Sequence, residues 1–572
     1  MKKADKQFLF RIQIMFAGVV CTGFVLIANL FYIQIRNGEV FREQADGQYV
    51  VATHNSFERG SIFFEEYDGS RISAAGQKSG YKISVNPSTF SADEEYVAEQ
   101  ISSVLSDFDY SYFIKSVNNT DRKYVEIAKK VPKDKALEIK DLVGSAVQLH
   151  AEKWRAYPLK ASASHALGFL AYRGDEYAGR YGLERFYENT LKREDVDLYT
   201  NFFARIFHNV QDFVDSSTVP EGDIVATIDP QIQLFLEKQL RVILDTWDSE
   251  SVGGIIIHPK TGQIYAMGAY PNFDVNTFAQ SNAQYFKNPL VENVYEFGSI
   301  MKPLVVSMAL DSNSLSEEDF QYYDQGSVVV EDYTISNFDN RGRGWVGLQE
   351  ILTQSLNTGM VAITDLISKS IYRNYFDAFG FTERTNIDLP NEAKNLTTNL
   401  KSNRDIEFSN ISFGQGIAVT PIGMVRALSA LANDGKIVRP HIVKEIEYTN
   451  GFSKTIEYPD QDQVISPESA GDISRLLVNA FDEYRDGAVK LENYRIAAKT
   501  GTAQIPNPSG GYYDDRNLHS FFAYFPAYDP EFLVLLYTVH PKDVRYSSQT
   551  LLDPFRDLAN YLINYHDIAP DR

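Results

Sequence analysis

A stretch of 24 uncharged residues, residues 12–35, dominates the hydrophobic pattern at the start of the chain. As a helix rising about 1.5 Å per residue it would be about 36 Å long, enough to cross a hydrocarbon core of roughly 30 Å. Four basic residues and one acidic residue occupy positions 1–11, and this bias favours a cytoplasmic N-terminus. We therefore predict a cytoplasmic tail over 1–11 and a single transmembrane helix over 12–35, with the rest of the chain outside the cell membrane.

Two alternatives concern the same stretch. A cleaved signal peptide would have an apolar region of only about 7–15 residues with a small-residue cleavage site behind it, and the sequence has neither feature. Lipid modification of Cys21 is the second alternative, although Val20 occupies the position where a small residue is expected.

Short strand-like and helix-like patterns alternate between residues 36 and 221. Polar and apolar residues alternate over Lys82–Val85, as in a strand, whereas apolar residues recur at helical spacing over Asp93–Leu105 behind a candidate N-cap, Ser91. Lys133–Leu142 has the pattern of a second short amphipathic helix. The region does not combine a nucleophile, a base and oxyanion donors, so we predict a structural or docking domain over 36–221.

The pattern changes near residue 220. Ile224–Ile228 has the composition of a strand, and Asp229–Pro230 supplies an N-cap and an N1 proline for a helix that continues through Gln231–Ile243. Two apolar segments follow, Gly254–His258 and Gln263–Gly268, and the short turn between them predicts a hairpin.

Helical patterns dominate from about residue 300 to 480, and strand patterns return at Ser520–Tyr524 and Phe532–Val539. Strands at both ends of a segment with helices between them are typical of a mixed α+β domain, which we place at 222–572. A chain of 572 residues is too long for a single hydrophobic core, so we expect at least two domains.

Composition and charge exclude several classes of protein. Hydrophobic residues make up 44% of the chain and charged residues 23%, which is typical of folded domains rather than of a disordered or polytopic membrane protein. The formal charge of −21 would repel a polyphosphate, so nucleic acid is not an expected partner. The single cysteine, Cys21, permits no internal disulfide, and the nine histidines form no HExxH or HxH pattern, so we expect no metal centre.

The first candidate catalytic motif is Ser299-x-x-Lys302, which leads into an apolar run. On a helix, residues three apart lie on one face, so the hydroxyl and the amine can meet. A neutral lysine can activate the hydroxyl by taking its proton. The lysine is neutral near pH 7 only if its pKa falls by about 3 from about 10.4. Burial and a nearby second cation can lower the pKa by that amount. The same spacing at Ser79 and Lys82 lies in a strand-like segment, where the side chains point to opposite faces, so we interpret it as structural.

Two further motifs follow along the chain. Ser355-x-Asn357 would place a hydroxyl and an amide beside the first motif, although a loop or a helix end also explains the pattern. Lys499-Thr500-Gly501-Thr502 would present a cation and two hydroxyls to a substrate carboxylate, while its glycine permits close approach and its last N–H can face an oxyanion. A second Lys-Thr-Gly, residues 260–262, lies in the predicted hairpin turn and is interpreted as structural.

The order of the three motifs leads to a known family. S-x-x-K, then S-x-N, then K-T-G-T is typical of penicillin-binding proteins and serine β-lactamases. The chain resembles a class B penicillin-binding protein, the monofunctional peptidoglycan D,D-transpeptidase type, over nearly its whole length. Further family-like stretches are Arg59–Ile62, Arg155–Pro158, Tyr181–Glu184 and Phe413–Gly416. The implied fold is α+β: an N-terminal transmembrane helix, an elongated α+β pedestal or dimerisation-type domain, and a β-lactamase-like transpeptidase domain with an antiparallel sheet packed between helices.

The resemblance also implies how the reaction begins. Ser299 attacks the carbonyl between the two terminal D-alanines (D-Ala-D-Ala) of a peptidoglycan stem peptide, and Lys302 acts as general base. Ser355 relays a proton toward the leaving D-alanine, while Asn357 positions Lys302 and the donor amide. β-Lactams are expected to acylate the same serine as covalent inhibitors.

The remaining roles come from the same resemblance. Lys499 is a catalytic residue on the strand that holds the terminal carboxylate, and Thr500, Gly501 and Thr502 are substrate-binding residues. Backbone N–H groups of Ser299 and Thr502 form the oxyanion hole. The chemistry requires no metal and no organic cofactor.

Two other functions are compatible with these motifs. A membrane-anchored β-lactamase or β-lactam sensor shares the fold, and a catalytically silent scaffold of a cell-wall synthesis complex would share the domains. Within the family, a division role is favoured over an elongation role, since Asn357 stands where elongation enzymes often have aspartate. By resemblance, the expected partners are a SEDS-type glycosyltransferase and other divisome or elongasome proteins, and the expected location is the cell (inner) membrane, with the catalytic domain extracytoplasmic.

Overall fold

The structure is a computed structural model of the chain, and it describes residues 22–23, 58–174, 176–193, 220–458 and 461–572. The predicted tail over 1–11 and all of the predicted transmembrane helix except Thr22 and Gly23 lie outside these residues. Within the described part of the chain, no helix is both long enough and apolar enough to cross a membrane.

The N-terminal part of the described chain is a mixture of short helices and strands. The strands are β1 (Ile62–Glu65), β2 (Arg71–Val85), β3 (Val125–Pro132), β4 (Gln148–Ala156), β5 (Leu170–Arg173) and β6 (Glu176–Gly179). The helices are α1 (Glu94–Val104), α2 (Tyr110–Val117), α3 (Lys133–Val143), α4 (Ser164–Leu167), α5 (Gly182–Phe186) and α6 (Glu188–Leu191).

The predicted elements of this part are present, with one correction. β2 contains the predicted strand Lys82–Val85, and α3 matches the predicted second helix. The N-cap of α1 is Asp93 rather than Ser91, because the Asp93 carboxylate accepts the N–H of Tyr96 at 3.0 Å. Ser91 lies two residues too early to satisfy a donor of the first helical turn.

Strands occur throughout the C-terminal part of the described chain. They are β7 (Gly222–Ala226), β8 (Ser251–Ile257), β9 (Ile264–Tyr270), β10 (Tyr322–Asp324), β11 (Ser327–Val330), β12 (Tyr333–Ser336), β13 (Gly344–Val346), β14 (Val443–Tyr448), β15 (Ser453–Thr455), β16 (Ala497–Pro506), β17 (Tyr512–Phe525) and β18 (Phe532–Val539). The hairpin predicted from the sequence is the pair β8–β9.

Helices fill the space between these strands. They are α7 (Pro230–Thr246), α8 (Pro289–Glu292), α9 (Lys302–Asp311), α10 (Leu348–Thr353), α11 (Asn357–Asp365), α12 (Lys369–Ala378), α13 (Asp405–Ser412), α14 (Pro421–Ser429), α15 (Pro467–Asp482), α16 (Ser547–Thr550) and α17 (Leu552–Tyr565). The predicted cap of α7 is confirmed: the Asp229 carboxylate accepts the N–H groups of Gln231 and Ile232, and Pro230 is the first helical residue.

Two sheets organise these elements. The first has the order β15-β14-β7-β1-β2-β3, with β4 also paired to β2. β1 and β7 are parallel, with Ile62 opposite Ile224, so strands from beyond residue 222 complete a sheet that begins near residue 62. The second sheet has the order β16-β17-β18-β8-β9, and all of its pairs are antiparallel.

The second sheet is buried on both faces, as the alternation along β18 shows. Leu533 and Leu535 belong to the apolar cluster that includes Leu304 of α9, whereas Val534 and Leu536 belong to the cluster of α7 and α17. Successive side chains of a strand point to opposite faces, so a sheet covered on both sides needs a continuous apolar run. The antiparallel sheet packed between helices is therefore confirmed.

A buried ion cluster ties the N-terminal part together around α5. The Glu184 carboxylate lies 2.7 Å from Arg59 Nε and 2.7 Å from Arg155 Nε, and it accepts the Tyr157 hydroxyl at 3.1 Å. Burial alone would raise the pKa of Glu184, but the two guanidinium groups outweigh it and hold this pKa below its usual value. Glu188 also lies 2.7 Å from Arg59 Nη2, so Glu184 shares the neutralisation of Arg59 and is the carboxylate that contacts Arg155.

Replacing Glu184 with alanine should lower the free energy of unfolding by about 3–5 kcal/mol, because it leaves the buried Arg155 without its carboxylate partner and leaves Arg59 with Glu188 alone. Denaturant unfolding of the full chain measures this loss. Glu176→Ala is the matched control, since the Glu176 side chain is exposed in its ion pair with Arg180 and its loss should cost less than about 1 kcal/mol. Equal unfolding midpoints for the two variants would contradict the role of the cluster.

Candidate active site

Ser299 lies in a 3₁₀ turn, Gly298–Met301, that runs directly into α9. Residues three apart eclipse one another in such a turn, so Ser299 and Lys302 project to the same side. Gly298 has a φ of +64°, and a Cβ there would lie 2.8 Å from the carbonyl oxygen of Thr502. Only glycine permits both the turn and this close approach, so Gly298 places the turn that contains Ser299 against β16.

Lys302 brings the first two predicted motifs together. Its side chain is completely buried, and its Nζ donates to Ser355 O at 2.6 Å, to Ser355 Oγ at 3.2 Å and to Asn357 Oδ1 at 2.8 Å. Among the described residues these three atoms are its acceptors, and the Ser299 hydroxyl is not one of them. An ammonium would use all its protons on these acceptors, whereas a neutral amine would have two protons and a free lone pair for the Ser299 proton.

The electrostatics of the site favour a neutral Lys302. Burial lowers the pKa of Lys302 well below its usual value, and the charge of Lys499 lowers it further. Lys499 is also completely buried, and burial lowers its pKa to about 7. These are the two causes that the sequence led us to expect for the first motif, and the second cation belongs to the third motif.

The second motif sits at a strained point of the backbone. Ser355 has a φ of +55°, a left-handed conformation that costs a residue other than glycine about 1–2 kcal/mol. The strained backbone directs the Ser355 carbonyl at Lys302, and α11 begins two residues later at Asn357. Strain of this kind persists where the surroundings determine the geometry, as at active sites.

A buried polar network behind Asn357 was missed by the sequence reasoning. Asn357 Nδ2 donates to Ser336 O at 3.1 Å, and the next residue, Thr358, donates from its hydroxyl to Asp324 at 2.8 Å. Asn337 Nδ2 donates to both oxygens of the same carboxylate at 3.0 Å. Asp324 and Asn337 lie on the segment between the first two motifs without a repeating pattern, so no sequence signal could have identified them.

The third motif lies on β16, the edge strand of the second sheet. Lys499 Nζ donates to Thr500 O at 3.0 Å, and the Thr502 side chain is exposed. A Cβ on Gly501 would lie 2.3 Å from Ser520 Oγ and 2.6 Å from Phe297 O, so glycine is required here. The Ser520 hydroxyl donates to Phe297 O at 2.6 Å, and this bond ties β17 to the turn that contains Ser299.

The two repeated patterns that the sequence analysis interpreted as structural lie away from this site. Ser79 and Lys82 are both on β2, where Ser79 is exposed and Lys82 pairs with Glu126 at 2.9 Å. Residues 260–262 form the turn between β8 and β9, and Lys260 forms an ion pair with Asp529. Neither pattern gathers the partners that surround Lys302.

Comparison with known proteins identifies the family. The family model described as "Penicillin binding protein transpeptidase domain" matches residues 252–559, and the model described as "Penicillin-binding Protein dimerisation domain" matches residues 58–196. The chain therefore belongs to the penicillin-binding proteins, as a class B member in which the dimerisation domain precedes the transpeptidase domain.

Similar proteins come from several sources. "Stage V sporulation protein D" of Bacillus subtilis is 28% identical, over 91% of this chain and 80% of its own length. A "Peptidoglycan D,D-transpeptidase FtsI homolog" of Mesostigma viride is 25% identical, over 96% of this chain and 94% of its own.

Solved structures support the same fold. The structure of penicillin-binding protein 2X from Streptococcus thermophilus has a TM-score of 0.71 at 22% identity and covers 90% of this chain and 81% of its own. Penicillin-binding protein 3 from Mycobacterium tuberculosis, solved in complex with aztreonam, has a TM-score of 0.68 at 20% identity and covers 91% of this chain and 98% of its own.

Proposed function

We propose that the protein is a peptidoglycan D,D-transpeptidase that cross-links stem peptides through an acyl-enzyme on Ser299. The observation that carries this proposal is the meeting of Lys302 with Ser355 and Asn357 beside β16, in a chain of the penicillin-binding family. A buried amine with a lowered pKa supplies a base where the nucleophile needs one.

Acylation begins when neutral Lys302 takes the proton of the Ser299 hydroxyl. The oxygen then attacks the carbonyl between the two terminal D-alanines, and the developing oxyanion is stabilised by the backbone N–H groups of Ser299 and Thr502. Lys499 and Thr500 hold the terminal carboxylate together with Thr502, an exposed residue of the edge strand.

The intermediate collapses when the C–N bond to the last D-alanine breaks. Ser355 passes the proton from Lys302 to the leaving amine, and Asn357 keeps Lys302 and the donor amide aligned. The amine of a neighbouring stem peptide attacks the ester on Ser299, forms the cross-link and returns the proton to the serine oxygen. A β-lactam follows the first step, but its opened ring stays attached and blocks the second.

The location and the domain limits complete the proposal. Residues 12–35 are the membrane anchor, with residues 1–11 in the cytoplasm and the catalytic part outside. The pedestal extends over 36–221 and the transpeptidase domain over 222–572. A septal role together with a SEDS-type glycosyltransferase is favoured, and the name of a relative as an FtsI homolog supports it.

The test is to incubate the full chain with benzylpenicillin and, separately, with a stem pentapeptide that ends in D-Ala-D-Ala. We expect a stable adduct, mapped by mass spectrometry to the peptide that contains Ser299, together with release of D-alanine from the pentapeptide. Rapid hydrolysis of the drug would support the β-lactamase alternative instead. If neither an adduct nor free D-alanine is formed, the result would support the alternative of a catalytically silent scaffold.

A further inference from the structure

A chain of hydrogen-bonded hydroxyls runs from the exposed Thr502 to buried residues of α16. The Thr502 hydroxyl lies 3.3 Å from Ser547 Oγ, and the Ser547 N–H donates back to Thr502 Oγ1 at 3.4 Å. One turn further on, the Thr550 hydroxyl donates to Ser547 O at 3.1 Å. Ser547 is therefore fixed at its backbone by Thr550, while its own N–H and hydroxyl both face Thr502.

His519 closes the chain from the neighbouring strand. It lies directly opposite Thr502 in the β16–β17 pair, and its Nδ1 is 3.1 Å from Thr550 Oγ1. Burial lowers the pKa of His519 to about 4, so the ring is neutral at physiological pH. The Thr550 oxygen also lies 3.1 Å from Ser547 O, so it links the neutral ring of His519 to the backbone of Ser547.

The burial of these groups requires a reason. Ser547 is 3% exposed, Thr550 1% and His519 0%, and α17 continues α16 with the apolar residues Leu552 and Phe555. Apolar side chains at the three polar positions would need no hydrogen bonds, whereas a buried polar group costs free energy unless it is paired. Thr502 itself is exposed, so these hydrogen bonds connect buried polar groups to the hydroxyl of an exposed residue on the edge strand.

We propose that Ser547, held in place by Thr550 and His519, is a positioning residue that turns the Thr502 hydroxyl toward the terminal carboxylate of the acyl donor. In the structure the Thr502 hydroxyl donates to Ser547 Oγ. When a carboxylate enters, Ser547 donates its own proton to Thr502 Oγ1 and so frees the Thr502 proton for the anion. No net proton moves, and a hydroxyl that accepts one bond becomes a stronger donor in the next. This inference rests on the proposed function, which supplies the carboxylate.

The test compares acylation by benzylpenicillin, which has a free carboxylate, with acylation by its methyl ester. Ser547→Ala should lower the second-order rate constant with benzylpenicillin about 3- to 10-fold, the effect of one hydrogen bond, and should leave the ester rate within about twofold. Thr550→Val should act in the same direction, whereas Thr550→Ser, which keeps the hydroxyl, should restore the wild-type ratio of the two rates.

Ser548→Ala is the matched control, because Ser548 is the next residue and its hydroxyl is not part of the chain toward Thr502. Thermal unfolding shows whether each variant is folded. If Ser547→Ala is not folded, the comparison of Thr550→Val with Thr550→Ser tests the proposal. An equal loss of acylation rate with benzylpenicillin and with its methyl ester would mean that the hydrogen-bonded side chains have only a structural role, and this result would overturn the proposal. Unchanged rates would overturn it as well. A wild-type protein that benzylpenicillin does not acylate would overturn the proposed function instead.

Discussion

Ser299→Ala should abolish both covalent labelling by benzylpenicillin and release of D-alanine from the pentapeptide. The methyl group cannot form the ester, and the neighbouring hydroxyl, Ser355, has its oxygen 3.2 Å from Lys302 Nζ in a strained backbone segment that serves another role. Ser299 is only half-buried, so its truncation should change the free energy of unfolding by no more than about 0.5 kcal/mol. Gel fluorescence with a labelled penicillin and a D-alanine assay measure the two losses.

Ser79→Ala is the control for this variant. Ser79 has a lysine three residues later, as Ser299 does, but it is exposed on β2. The Ser79→Ala variant should therefore be labelled by penicillin to the same extent as the wild type. Persistent labelling of Ser299→Ala would show that another residue is the nucleophile and would end the proposed mechanism.

The elements could be predicted where a local pattern determines them. The cap and proline of α7 and the hairpin β8–β9 follow from neighbouring residues, and the structure contains them at nearly the predicted limits. The continuous apolar pattern of β18 indicated a strand, and its burial on both faces explains why Phe532–Leu536 contains no polar residue. Ser91 was a wrong choice of cap because two capping residues, two positions apart, competed for one helix start.

Pairings between distant segments could not be predicted. The parallel pair β1–β7 joins residues about 160 apart, and nothing in either strand specifies its partner. The same limit applies behind the site, where Asp324 and Asn337 support Asn357, and behind Thr502, where Ser547 and His519 lie on two other elements. Such polar groups are selected by a three-dimensional surrounding, not by periodicity.

The candidate site could be predicted from the sequence only in part. The order of the motifs supplied the residues through a family resemblance, and the structure brings Lys302, Ser355 and Asn357 within hydrogen-bond distance. Their roles remain predictions. Ser299 is not among the hydrogen-bond partners of Lys302 Nζ, and catalytic hydrogen bonds often tighten only in the reacting complex.

Lys302→Met should lower the acylation rate constant about 10²- to 10⁴-fold, the usual contribution of a positioned general base. Methionine keeps the length and the burial of the side chain but has no lone pair that can take the Ser299 proton at neutral pH. Stopped-flow or quenched-flow acylation by benzylpenicillin measures the loss. The matched control is Lys260→Met in the turn between β8 and β9, whose lysine lies at the surface and should be replaceable with less than about a twofold change in rate.

Lys302→Arg separates the two roles that the amine could have. A guanidinium stays protonated at any working pH, so it cannot act as the base, although it retains the positive charge and the capacity to donate to Ser355 and Asn357. If Lys302 acts as a base, the arginine variant should be as slow as the methionine variant. An arginine variant that acylates much faster would mean that the charge or the hydrogen bonds matter more than the lone pair. Near-normal acylation by Lys302→Met would show that another group takes the proton, and the lowered pKa of Lys302 would then have no catalytic purpose.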